Sequence, residues 1–291
     1  MRLPKSSESQ PVSVQHYENF PVASLLCPPA LRPAVTAIYH FARTADDLAD
    51  EGTASAQDRL ADLAQYRRDL QATAAGAAPS PRWQPLFAAL GRQMQRFALP
   101  LPLLQALLDA FEQDVRNPDY PDRAALLDYC SRSANSVGRL LLHLHAIDDT
   151  VSLKQSDAIC SALQLINFWQ DLSVDGARGR HYVPLSDLQL HAVTQTELAG
   201  NADSPRSRSL VRSLVAWAEA LMLQGAPLAL RVPGRSGWEL RLVVQGGLRI
   251  LEKIRRMDHA ALLHRPSLKA LDVPVLLWRA LRMGGIGGPR R

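Results

Sequence analysis

Apolar residues recur at steps of three and four along most of the chain, the spacing that gives an α-helix one buried stripe. The pattern predicts helices over 31–48, 60–70, 83–97, 101–115, 124–147, 156–174, 204–223 and 237–257, with a short last one over 273–283. Alternating β-branched runs between turn residues, the mark of a half-buried strand, are missing. Prolines such as Pro79, Pro100, Pro121, Pro184 and Pro205 fall between these segments or in their first turns. The connector 72–81, ATAAGAAPSP, is too short to separate domains. The expectation is therefore an all-α chain, one helical bundle over 1–291, with 1–14 and 284–291 as flexible ends.

Bulk composition narrows this only a little. With 291 residues, 47% of them hydrophobic and 21% charged, the chain can bury a large core. A net charge of +5 and a pI near 9.4 suit an anionic small substrate or a membrane surface. No Lys/Arg run and no basic stripe interleaved with aromatics occurs, so nucleic acid is not an expected partner. Cys27, Cys130 and Cys160 are odd in number, far apart and without a CxxC pair, which argues against a disulfide framework or a zinc site and for a reducing cytoplasm. The start, MRLPKSSESQPVSV, lacks the apolar core of a signal peptide. No run of 18 apolar residues occurs, so no membrane span is expected. The segment 271–281, LDVPVLLWRAL, could pack in the core or touch the surface of the inner membrane.

Two segments carry candidate chemistry. In AIYHFARTADDLADEG (37–52), Asp46 and Asp50 lie four apart and Asp47 and Asp50 three apart, spacings that share a helix face. Arg43 precedes them on the same patch. Carboxylates gathered near a helix C-terminus oppose both each other and the helix dipole. They are either a solvated acidic face paired with Arg43 or a site for a cation such as magnesium, which takes carboxylate oxygens, water and substrate phosphates. In LQLINFWQDLSVD (163–175), Asn167, Asp171 and Asp175 repeat at four, with Gln164 extending the stripe. Their flanks are Leu163, Leu165, Ile166, Phe168, Trp169 and Leu172, so the polar stripe is expected to face an interior cavity. Arg178, Arg180, His181 and Tyr182 follow, and arginine suits bidentate phosphate contacts. Acidic stripes facing across a helical bundle are a recurring way to build a metal site.

The two segments together, YHFARTADDLAD (39–50) and NFWQDLSVD (167–175) with RHYVP following, resemble those of the squalene and phytoene synthases, the head-to-head prenyl synthases, over about 16–281. HYENFPVAS (16–24), RSANSVGR (132–139), GLRILEKI (247–254) and HRP (264–266) resemble the branch acting in bacterial hopanoid synthesis. The resemblance implies an isoprenoid-synthase helical bundle with a central cavity, in which presqualene diphosphate ionises and water captures the cation to give hydroxysqualene. It implies magnesium on Asp46, Asp47, Asp50, Asp171 and Asp175, with Asp46, Asp171 and the cavity residue Tyr129 as catalytic groups. Substrate contacts would come from Arg43, Asn167, Gln170, Arg180, Tyr182 and Phe20. No NADPH is expected, and a presqualene diphosphate synthase and a downstream reductase are the implied partners. Condensing members often carry Arg and Glu where this chain has Gln170 and Val174, which suggests an enzyme that binds one diphosphate. The alternatives are a synthase that condenses two prenyl diphosphates and a non-catalytic assembly protein.

Several other residues keep two readings. His40 could be functional or exposed, and His143 and His145 core or surface. The small-residue run around Ser133, Ser136 and Gly138 could pack helices closely or widen a cavity. Trp169 could face a cation with its ring or fill the core.

Overall fold

The computed structural model describes residues 26–283. The resemblance over 16–24, the expected substrate contact from Phe20 and the two chain ends lie outside that range. Among the described residues there is no strand. The helices are α1 (Arg32–Asp50), α2 (Ala56–Ala74), α3 (Gln84–Phe97), α4 (Leu101–Arg116), α5 (Arg123–Cys130), α6 (Ser136–Leu144) and α7 (Thr150–Gln170). They continue as α8 (Leu172–Asp175), α9 (Leu185–His191), α10 (Gln195–Ala199), α11 (Pro205–Gly225), α12 (Leu228–Arg231), α13 (Gly234–Arg256) and α14 (Val273–Met283).

Helix starts that apolar spacing misses are set by capping side chains. Ser55 accepts from the Asp58 amide at 3.2 Å, so α2 begins at Ala56, four residues ahead of expectation. Asp149 accepts from the Ser152 amide at 3.0 Å and starts α7 six residues ahead of expectation. The expected 124–147 helix is two helices joined by a π-helical turn, Ser131–Asn135. The expected 156–174 helix breaks at Asp171, whose ψ of 10° leaves helical geometry before α8 resumes.

Two apolar clusters organise the molecule. One is built on α1 to α4 and α6, with Ile38, Phe41, Tyr66, Phe87 and Leu104 fully buried. The other is built on α5, α7, α11 and α13, with Leu165, Trp169, Leu210, Leu214 and Ile254 at its centre. Helices α7 and α11 pack along one another. Gly225 permits this, because a Cβ there would stand 2.5 Å from the Gln155 carbonyl oxygen on α7. The stretch Pro205–Arg231 is long and apolar enough by length and composition to cross a membrane, but Leu210, Val211, Leu214 and Val215 bury its inner face as a core helix does.

Candidate active site

A cavity of about 490 Å³ opens where the two apolar clusters meet. Asp46 and Asp50 reach it from α1, Asp114 from α4, and Asn167, Asp171 and Asp175 from α7 and the turn after it. The break at Asp171 keeps the stripe in register, because the Asp171 and Asp175 amides still bond the carbonyls of Asn167 and Asp171, each at 2.9 Å. Tyr129 and Ser133, flanking and within the π-helical turn, also face the cavity. Such turns re-aim side chains, and they concentrate at functional sites.

The segment after α8 is folded back onto this cavity. Gly179 takes φ +70°, a left-handed turn that glycine adopts freely. Asn117 Nδ2 donates to the Gly179 carbonyl at 2.7 Å, and the Leu185 amide donates to the Tyr120 carbonyl at 2.8 Å. Arg180 is thereby brought to Asp50, with which it forms an ion pair across the cavity. Arg265 comes from the loop before α14 and pairs with Asp171. Tyr182 stacks on Phe168 with ring centroids 3.7 Å apart, and Tyr120 and Tyr129 complete an aromatic wall.

Five carboxylates, from Asp46, Asp50, Asp114, Asp171 and Asp175, face this space beside the guanidinium groups of Arg59 and Arg180. For Asp46, Asp114 and Asp175 burial, with neighbouring carboxylates adding to it, disfavours ionisation. Burial pushes Asp175 up to about 7, reinforced by the charge of Asp171. Burial also brings Asp114 to about 7; the hydrogen bond it accepts from Tyr129 Oη at 2.9 Å opposes the rise and Asp46 adds to it. Asp46 is raised as well, chiefly by burial, against the pull of Arg43. Among the described residues no three of His, Cys, Asp and Glu converge closely enough to enclose a metal ion by themselves.

Asp46, Asp50, Tyr129, Asn167, Asp171, Asp175, Arg180 and Tyr182 thus share one cavity. Three expected residues do not line it. Arg43 and Asp47 form a surface network instead, Arg43 pairing with Asp47 at 2.6 Å, Asp46 at 3.0 Å and Glu51 at 2.7 Å. Gln170 is buried off this cavity, its Nε2 donating to the Pro266 carbonyl at 2.8 Å. The charge argument drawn from Gln170 therefore does not bear on this cavity. Trp169 is wholly buried against Phe168 and Trp217, and Phe168 takes the cavity position. His40 is exposed, and His143 bonds the Phe97 carbonyl at 2.8 Å.

Asp114 and Arg265 were not foreseen as site residues. Gln170 borders a second, apolar cavity of about 450 Å³, between α7, α13 and α14, whose wall shares Asn167 with the first. A further apolar pocket holds Gly138 and His145. A Cβ on Gly138 would lie 2.5 Å from Cys160 Sγ, so this glycine both packs helices closely and borders a cavity.

This arrangement, an all-helical chain with carboxylates on opposite walls of an internal cavity, is that of a prenyl synthase, and comparison with known proteins agrees. The family model for squalene/phytoene synthase matches residues 13–272, and the chain belongs to that family. A hydroxysqualene synthase of Rhodopseudomonas palustris is 30% identical over 96% of this chain and 93% of its own length. A presqualene diphosphate synthase of Zymomonas mobilis is 34% identical over 73% of this chain and 72% of its own. The crystal structure of squalene synthase HpnC from Alicyclobacillus acidocaldarius is 37% identical, with a TM-score of 0.76 over 84% of this chain and 90% of that one.

Proposed function

We propose that this chain is a hydroxysqualene synthase, converting presqualene diphosphate and water to hydroxysqualene and diphosphate. The observation that carries the reading is the carboxylate-lined cavity, shared between α1 and α7, with an apolar cavity on the other side of Asn167. The near full-length likeness to a hydroxysqualene synthase supports the choice within the family. We read residues 1–291 as one domain carrying one such site.

The donor set of the cavity fits magnesium. It offers carboxylate oxygens with no thiolate or imidazole among them, and burial raises the pKa of Asp46 and Asp175, a cost that a bound cation would offset. Asp46, Asp50, Asp171 and Asp175 would hold the ions, with water and substrate phosphate completing the shells. Bound magnesium would supply charge neutralisation for the departing diphosphate. Arg180 lies where it can meet the same diphosphate, with Tyr182 beside it. The faces of Phe168, Tyr129 and Tyr182 border the space in which a carbocation would form. Ionised Asp114, hydrogen-bonded to Tyr129 Oη, is placed to accept the proton lost by the capturing water.

The likeness to a presqualene diphosphate synthase keeps a second reading, condensation of two prenyl diphosphates. Incubation with magnesium and no NADPH separates the two. Presqualene diphosphate should give hydroxysqualene by mass spectrometry, and farnesyl diphosphate alone should be recovered. Presqualene diphosphate returned unchanged would exclude the first reading, and its formation from farnesyl diphosphate would establish the second.

A further inference from the structure

The stretch 263–283 turns apolar side chains outward. Leu268, Leu271, Val273, Leu277, Trp278 and Leu281 are all exposed, Leu271 to 88% and Leu281 to 60%. On α14 the inward positions are Leu276, which borders the apolar cavity, Ala280, which is buried, and Met283, which packs on the core. The outward stripe is Val273, Leu277 and Leu281, four residues apart, flanked by Trp278 and Arg282. A surface helix ordinarily presents polar residues there, and a contiguous apolar patch marks an interaction surface.

Nor is this a loosely held helix end. Buried Asp272, at its first turn, accepts from Arg249 at 2.8 Å, Lys253 at 2.6 Å and the Lys269 amide at 2.7 Å. Arg279 pairs with Glu252 on α13 at 2.6 Å. The fold therefore fixes α14 with its apolar face outward.

Within the stretch itself the exposed charge has one sign, and Glu252 beside it on α13 is paired with Arg279. Asp272 is the one acid between 263 and 283, and it is buried, whereas Lys269 and Arg282 are exposed. The Arg282 guanidinium lies 4.1 Å from the Trp278 ring centroid. A tryptophan beside a cation, amid exposed leucines, is the composition of a surface that enters the headgroup and acyl boundary of a bilayer. The positive rim selects anionic lipid. Leu276, on the inner side of α14, and the half-exposed Leu268 border the apolar cavity whose wall includes Asn167.

We propose that the 263–283 surface docks the protein onto an anionic lipid bilayer, with Leu271, Leu277, Trp278 and Leu281 inserted and Lys269 and Arg282 at the headgroups. The docking stands independently of the reaction assigned to the polar cavity. Co-sedimentation of the full chain with vesicles of phosphatidylcholine, with and without phosphatidylglycerol, tests it. The protein should bind the phosphatidylglycerol vesicles, less so in high salt. Leu277→Ser/Trp278→Ser/Leu281→Ser should abolish binding while circular dichroism and melting stay those of the parent, since these side chains are exposed. Lys269→Glu and Arg282→Glu should each weaken partition at least about fivefold, the equivalent of one lost headgroup attraction. Absence of vesicle binding by the parent, or equal binding by the triple variant, would overturn the proposal. So would a parent that is dimeric by analytical ultracentrifugation, monomeric as the triple variant and indifferent to vesicles, which would give the surface to a second copy of the chain.

Discussion

Asp114 stands in the last turn of α4, where the helix dipole already disfavours a negative charge, and its partners come from other elements. Burial raises its pKa to about 7, so in the apo protein the folded state prefers it protonated. The sign follows from proton counting. Between the ordinary aspartate value near 4 and about 7 the folded chain holds a proton that the unfolded chain has lost, so this residue's contribution to stability falls as pH rises through that window. Asp114→Asn should flatten that slope in melting curves recorded with chelator present. If Asp114 receives the proton from the capturing water, the same variant should lose turnover by about 10²-fold or more, the usual reach of a positioned base. Tyr129→Phe removes a hydrogen bond that lowers the Asp114 pKa, so the acid limb of the pH–rate profile should move to higher pH. An unmoved limb would detach Asp114 from the chemistry. No local pattern marks this residue: FEQDVRN reads as the polar end of an amphipathic helix, and its significance comes from Tyr129, 15 residues on, and from Asp46. Arg265 is hidden in the same way, 94 residues from Asp171. The Asp46/Asp50 and Asn167/Asp171/Asp175 stripes were legible because their spacing of four is itself local. Asp47 lies three residues from Asp50, but it sits about 100° around the helix from Asp46, and Arg43, four residues before it, holds it there.

At the scale of elements, the long helices are readable because apolar period and helix period coincide, and the failures occur where another interaction sets the geometry. The π-helical turn at 131–135 holds one apolar residue, Ala134, too few to show a change of period, so nothing in SRSAN separates it from the α-helices it joins. Helices α9 and α10, of seven and five residues, are too short to establish a period, and α10 depends on the Thr194–Glu197 capping box. For α14 the pattern alone could not choose between core and surface, since both call for an apolar face. That choice is made by Asp272, which anchors the start of the helix to Arg249 and Lys253 of α13. Removing the carboxylate leaves two largely buried cations without it. Asp272→Ala should therefore destabilise the protein by on the order of 3 kcal/mol in urea unfolding. Protease cleavage should rise first around 263–283. An even loss of protection along the chain would mean that α14 is not a separately anchored element. The hydrogen bonds and cations around Asp272 hold its pKa well below the ordinary value, so the contribution is complete above about pH 4 and is lost as the solution is acidified further.

The whole molecule joins two apolar clusters across a polar cavity, and the proposed metal ligands come from both sides: Asp46 and Asp50 from α1, Asp171 and Asp175 from α7 and α8. A ligand held by both sides acts as a clasp between them, and its binding free energy adds to folding stability. Magnesium with inorganic diphosphate, at about a hundred times the dissociation constant, should stabilise the fold by about 2.7 kcal/mol. For a chain of this size that is a rise of roughly 4–5 °C in melting temperature, reversible by chelator. Asp46→Ala and Asp171→Ala, on opposite walls, should each abolish the rise and the turnover while keeping a helical circular dichroism spectrum. The rise should also depend on pH. A metal requires the deprotonated carboxylate, and Asp46 and Asp175 both have raised values, Asp175 to about 7. The magnesium concentration at half-maximal stabilisation should therefore increase as pH falls below about 7, more steeply than exposed carboxylates titrating near 4 would give. Flat behaviour down to pH 5 would show that these carboxylates are not the ligands. Loss of the rise in only one of the two variants would confine the metal to a single wall and remove the clasp between the clusters.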